Sequence, residues 1–497
     1  MTDLAKHLSK YNAFGSLCGA VYDLFEWVCC NALHHMLKNK PKFGLISGGT
    51  ALVLTTVFAL CVQVYAGVML RGLYADGAFF VTHIAEKQGL CIMQPARPFS
   101  QILTQWPIVV GMWLGWRSLY DVALGFSLST NIMPGLFILA SCLVMSAKDR
   151  VLAVFPVFIY FSTILSSQFA SVTEGLVATA YFWFLLTLIV YGNFGLIHKI
   201  IVSFLALGCL RLQEGMIFLG PLLVFVCVLR FRRETRLWNK VILAFVAVCG
   251  LVSAAIAVGY ALYPVDAGER SSFLGSFLAF KWVYNRGWLS GYWGVNLCAI
   301  LGVVAAISIL LVIVRPLYGW PVFYIFLLFS CVASVSAFYF PFLVMPLTQF
   351  DARHNPTLLT VPLGIFYAVT KDSFRLRKAI TARPVAGLVC ALGVSVSIWH
   401  LVATREWVEF RHYIVHVLET RQGLVSWESV LQTADNRQRR LLWSMSFPWT
   451  NPDFSLEILP RQNIGSIIVA PQNYYGWQPY DVMNIKTMPN ISGIIYK

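Results

Sequence analysis

An aspartate, two aromatics and a histidine sit in "YADGAFFVTHIAEKQG", which begins at Tyr74 directly after the first long apolar stretch. A carboxylate at a membrane exit can take a proton from an incoming hydroxyl. Asp76 could equally cap a helix beginning at Gly77, accepting its unpaired amide hydrogens. Arg97 follows in the same loop, Glu174 opens a later apolar segment, and Arg211 and Glu214 stand in "RLQEGM". Asp351, Arg353 and His354 stand in "FDARHNP". Arginine grips phosphate through its planar fork, so acids among arginines beside a bilayer suit an anionic, lipid-linked substrate. Each residue also has a plainer role. Glu174 can cap a helix, and Arg211 and Glu214 at i,i+3 can pair with each other. Arg353 and His354 can anchor at the interface, and His83 reads as a packed or surface histidine.

Other chemistries lack their motifs. There is no GxxxxGK[ST] phosphate loop, which argues against ATP-driven transport by this chain. No HExxH and no Cys/His cluster at metal-ligand spacing is present, which argues against an intramembrane zinc protease.

The elements that must position these residues follow from composition. The chain has 497 residues, 58% hydrophobic and 12% charged, with a mean hydropathy of +0.70. A soluble domain of this size needs far more charge on its surface. The reading is an all-α polytopic membrane protein of about eleven transmembrane helices, with a small α/β extracytoplasmic domain at its C-terminus. The expected spans are Gly44–Leu70, Leu119–Met145, Val151–Ser167, Gly175–Gly192, Ile197–Leu210 and Gly215–Leu229. Val241–Tyr260, Gly294–Val314, Pro321–Met345, Pro356–Val369 and Pro384–Val402 complete the set. "WPIVVGMWLGW" covers about half a membrane and reads as interfacial or re-entrant. Residues 1–43 form a basic, interfacial segment on the cytoplasmic side, with no evident cleavable signal, and 44–402 the membrane domain. Within it, 71–118 is a long outer loop. The more polar stretch 403–497 is the outer domain, mixing a helix over Trp427–Trp443 with short β-branched runs such as "GSIIVA".

Charge sets the orientation. With a cytoplasmic N-terminus, nearly every compact basic cluster falls inside, including Lys38, Lys40 and Lys42, the run from Arg230 to Lys240, and Lys371 to Arg383. The net charge of +15 is therefore a membrane-orientation signal, and no nucleic-acid partner is expected. Cysteines such as Cys142, Cys227 and Cys249 lie in apolar segments and read as small hydrophobes. Asp76, Arg97, Glu174, Arg211, Glu214, Arg353 and His354 all fall at outer membrane ends, where costly charges mark functional sites.

In order, these motifs resemble the GT-C superfamily of membrane glycosyltransferases. "YADGAFFVTHIAEKQG…QPARPFSQILTQWP" resembles its first outer loop, which carries a catalytic acid, and "VTEGLVATAYFWFLL" its acidic fourth span. "RLQEGMIFLGPLL" is similar to the R-P-E-G motif of bacterial arabinosyl- and mannosyltransferase-like members, with Gln213 in place of proline. "ARHNPTLLTVPLGIFY" is similar to the R-Y-x-x-P-x-x-P stretch before a late span, with His354 in place of the aromatic. The first loop has one acid where many members have two. The resemblance implies sugar transfer, with inversion, from a polyprenyl-phosphate donor to a glycan, lipid or protein acceptor on the outer face. It implies Asp76 as general base, and Arg353, Arg211, His354 and Arg97 at the donor phosphate. Glu174 and Glu214 would orient a hydroxyl or hold a divalent cation such as Mg²⁺, Mn²⁺ or Ca²⁺. The expected location is a bacterial inner membrane, with an endoplasmic one as the alternative. A lipid-linked substrate transporter or flippase, or a non-catalytic membrane scaffold, would use the same outer charges differently.

Overall fold

The computed structural model describes residues 47–93, 96–116, 118–147, 149–168, 174–263, 348–371, 373, 377, 383–446, 450–458 and 466–469. The segment 1–43, the spans expected at Gly294–Val314 and Pro321–Met345, and most of the basic run from Lys371 to Arg383 lie outside the described residues.

The described part is almost entirely helical. In chain order it contains α1 (Gly48–Val68), α2 (Asp76–Lys87), α3 (Pro98–Trp113) and α4 (Leu119–Val144). Next come α5 (Val154–Ile159), α6 (Glu174–Tyr191), α7 (Leu196–Gly208), α8 (Met216–Phe231) and α9 (Leu237–Leu262). After the break lie α10 (Thr348–Thr370) and α11 (Arg383–Thr420). Among the described residues, α1, α4, α6, α9 and the Val385–Thr420 part of α11 are long and apolar enough to cross a membrane. The about eleven spans expected are thus met in part. Arg150–Leu165, Met216–Phe231 and Leu359–Thr370 are apolar but shorter. On α9 the apolar side chains Val241, Phe245, Val248, Leu251 and Val252 are exposed, a surface that suits lipid rather than water.

Polar backbone inside the bundle is repaired locally. Pro134 of α4 has no amide hydrogen, so the carbonyl one turn earlier loses its helical partner. Gln168 donates to Thr130 O at 3.0 Å and to Asn131 O at 2.8 Å in compensation. The segment after α5 is a π-helical turn, Tyr160–Leu165. The Leu165 carbonyl accepts from His400 Nε2 of α11 at 2.7 Å, which leaves His400 Nδ1 to accept from Arg71 Nη2, also at 2.7 Å. Arg71 Nη1 donates to Thr404 Oγ1 at 2.9 Å. The turn that follows α1 is thereby tied to α11. Where α8 crosses α9, Gly220 faces Gly250 so closely that an added Cβ would stand 2.4 Å from the Gly250 carbonyl. Small residues let helices approach in this way.

The boundary expected at 402/403 falls inside a helix, because α11 runs continuously through residues 402 and 403. β1 (Gly423–Ser426) pairs in parallel with β2 (Ser466–Val469), so "GSIIVA" does supply a strand. The single helix expected over Trp427–Trp443 is two, α12 (Trp427–Thr433) and α13 (Asn436–Met445). Asp435 and Gln438 form a reciprocal capping box that starts the second. The last helix, α14 (Asn451–Glu457), is anchored by Phe454, whose ring packs against Trp407 and Phe410 of α11.

Candidate functional site

Asp76 is the first residue of α2, and Ala75 is its N-cap. The helix therefore begins one residue earlier than expected, and Asp76 lies in the first turn, where an acid is favoured by the helix dipole. The chain reaches it by a tight route. Leu70 at φ 61° and Ala75 at φ 54° bracket the 3₁₀ turn Arg71–Leu73. Gly72 donates its amide to Ser127 Oγ of α4 at 2.8 Å. A Cβ on Gly77 would stand 1.8 Å from the Gly72 carbonyl, so only glycine fits there. Phe80 is buried and stacks on Phe126 of α4, while Phe79 lies against the His83 ring of its own helix. Phe80 thus packs inward and does not face lipid.

Arg97, Glu174 and Glu214 come together from three separate segments. Arg97 caps α3 and donates its Nε to both Glu214 oxygens, at 2.7 and 2.8 Å. Its Nη1 lies 3.7 Å from Glu174 Oε2. Gln101, one turn into α3, donates to Glu174 Oε1 at 3.1 Å. All three charged side chains are partly buried, from 11% to 32% exposed, so these contacts are less screened than surface pairs. A row of polar residues on α3 explains why this helix turns inward. Gln105 accepts from the Cys91 amide at 2.7 Å and donates to the Cys91 carbonyl at 2.9 Å.

Arg211 does not pair with Glu214. It donates to the Tyr260 hydroxyl near the end of α9, with its guanidinium 5.5 Å from the centre of that ring. Gln213 donates to Thr357 Oγ1 of α10 at 3.2 Å, tying the "RLQEGM" turn to the helix that carries Arg353 and His354. Those two residues lie within the first turns of α10, which starts at Thr348 and not at Pro356; their side chains fall outside the described set.

The Asp76 turn and the stretch before α6 meet the same part of α4. The Asp76 turn touches α4 at Phe126, Ser127 and Thr130. Gln168, shortly before α6, bonds at Thr130 and Asn131, whereas Tyr181 of α6 meets Phe137 farther along. Hence α6 runs parallel to α4, and Glu174 at its start lies on the same side as Asp76.

Two features escaped sequence reasoning. Arg71 and His400 form a buried pair, and a histidine within an apolar span was the available signal. The acids Asp453 and Glu457 are fully buried, though their one-turn spacing in "NPDFSLE" looks like a solvated helix face.

The resemblance implies a divalent cation at Glu174 and Glu214. Glu174 and Glu214 both face Arg97, whose guanidinium already balances one carboxylate. Among the described residues no three His, Cys, Asp or Glu side chains gather as a cage. The pair as placed does not fit a divalent cation. Comparison with protein-family models, curated proteins and solved structures finds no match to this chain.

Proposed function

We propose that this chain is an integral-membrane glycosyltransferase of the GT-C type. It would transfer a sugar from a polyprenyl-phosphate donor to an acceptor hydroxyl on the extracytoplasmic face, with the N-terminus cytoplasmic and residues 403–497 outside. The observation that carries this reading is the gathering of Arg97, Glu174 and Glu214 from three separate segments into one partly buried cluster.

Asp76 takes the proton of the acceptor hydroxyl as its oxygen attacks the anomeric carbon. The bond from that carbon to the donor phosphate oxygen breaks, and its electron pair leaves with the lipid phosphate, inverting the configuration. Arg353, Arg211 and His354 stabilise the charge on the departing phosphate. Arg97, expected at the phosphate too, has its Nε on Glu214 and is assigned here to hold the two glutamates for hydroxyl recognition.

A second reading, a lipid-linked substrate transporter, is favoured by the π-helical turn Tyr160–Leu165 and by Pro134 within α4, the kind of interruption that mobile spans use. The test is a single-turnover reaction of the protein in nanodiscs with a labelled polyprenyl-phosphate sugar and a hydroxyl acceptor. Glycosylated acceptor and free lipid phosphate are expected. Donor that crosses sealed vesicles uncleaved would select transport. An impermeant thiol reagent that fails to label a cysteine placed at Trp443 in intact cells would overturn the orientation.

A further inference from the structure

Beneath the outer domain lies a pair of acids that the proposed reaction does not use. Asp453 and Glu457 stand one helical turn apart on α14, 1% and 0% exposed. Thr82 of α2 donates its hydroxyl to Glu457 Oε1 at 2.8 Å. Asp453 also lies beside the Thr82 hydroxyl, yet among the described residues neither of its oxygens, nor Glu457 Oε2 or Asn451 Nδ2, completes a hydrogen bond. Buried charge of this kind must be matched by a cation or carry a proton.

Among the described residues, no cation acts on either acid. Phe454, between the two acids, packs on the rings of Trp407 and Phe410 of α11, and the strand β2 spans Ser466–Val469. The flanking helices do carry titratable groups: Asp76, His83, Glu86 and Lys87 on α2, Tyr120 and Asp121 on α4, and Glu406, Glu409 and Arg411 on α11. Among the described residues, the charged group that acts on Glu457 is Asp453 itself. Two neighbouring carboxylates in an apolar setting cannot both ionise cheaply.

We propose that Asp453 and Glu457 form a proton-dependent latch, which when protonated seats α14 of the outer domain on the Asp76-bearing helix α2 and when ionised loosens it. Burial pushes the Asp453 carboxyl up to about 7, and burial together with Asp453 pushes Glu457 well above the usual carboxylate range. Both values are raised in the docked form, so that form binds more protons than the open one. Docking is therefore strongest at acid pH. It weakens as the pH rises above the ordinary carboxylate range of roughly 4, through about 7, where Asp453 ionises in place. Each proton held only in the docked form is worth up to about tenfold in the docking equilibrium per pH unit. The latch is a property of the fold and does not depend on which reaction, if any, the membrane domain performs.

The test is hydrogen exchange of residues 423–469 in the full chain in nanodiscs from pH 5 to 9, corrected for the intrinsic pH dependence of exchange. Wild type is expected to lose protection by about tenfold or more per pH unit between 5 and 7. The variant D453N/E457Q, which mimics the protonated pair, is expected to hold its protection flat across the range. Protection in wild type that does not change with pH would overturn the latch, and so would a slope that persists in D453N/E457Q. Should the double variant fail to insert, the wild-type series decides alone.

Discussion

Ala75, with φ 54° and ψ −124°, occupies a backbone region that side chains other than glycine rarely adopt. Such strain costs about 1–3 kcal/mol and persists where the surroundings dictate it. Here they do: Gly72 is pinned to Ser127, and the Gly77 backbone lies against the Gly72 carbonyl. The strained turn sets the direction in which α2 departs and so where Asp76 stands. Ala75→Gly removes the strain at the loss of one buried methyl, and its thermal unfolding midpoint in detergent should match or exceed that of wild type. Ala75→Val should lower it, by the equivalent of about 1–3 kcal/mol. Equal midpoints for the two variants would show that the turn is not strained. At this scale the sequence was informative about residue types and weak about partners. Arg211 and Glu214 at i,i+3 promised a pair, but Cys209–Arg211 is a 3₁₀ turn followed by non-helical chain, so α-helical facing does not apply. Glu214 instead meets Arg97, 117 positions away, which no local spacing reveals.

Helix α3 shows how an element of ordinary length can be placed by its polar side. Ser100, Gln101, Thr104 and Gln105 fall on one face and are all buried, whereas Trp106 and Trp113 are exposed. The apolar run that ends this helix was legible, but the inward polar row was not, because its partners are loop backbone. Gln105 satisfies both the amide and the carbonyl of Cys91. Truncation to alanine strands two backbone groups at a cost of about 1–3 kcal/mol each. Gln105→Ala should therefore raise amide exchange at Cys91–Met93 by tenfold or more while leaving exchange in α1 and α4 unchanged. Unaltered exchange in that loop would mean that Gln105 does not hold it. Proline placement worked differently. Pro134 sits within α4, and the span survives because Gln168 supplies the missing donors, a compensation visible only in three dimensions.

Across the molecule, hydropathy identified the membrane class because long apolar helices need no knowledge of their neighbours. Five of the described helices are long and apolar enough to cross, whereas α7 has 13 residues and α5, buried along its whole length, runs into irregular turns, so hydropathy alone does not separate a span from a buried helix. The strand in "GSIIVA" was legible in the sequence, yet the continuity of residues 403–420 with the preceding span through α11 was not legible at residues 402 and 403. Asp76, at the start of α2 where the turn before it docks on α4, is the proposed base. The most direct measurement is the single-turnover rate of sugar transfer by Asp76→Asn relative to wild type, at donor concentrations that saturate both. Asparagine keeps the size of the side chain and loses the ability to accept the proton. Transfer should fall by about 10²–10⁴-fold with donor affinity unchanged. Transfer at the wild-type rate would contradict the assignment of Asp76, and if Glu174→Gln then abolished transfer, the base would be Glu174.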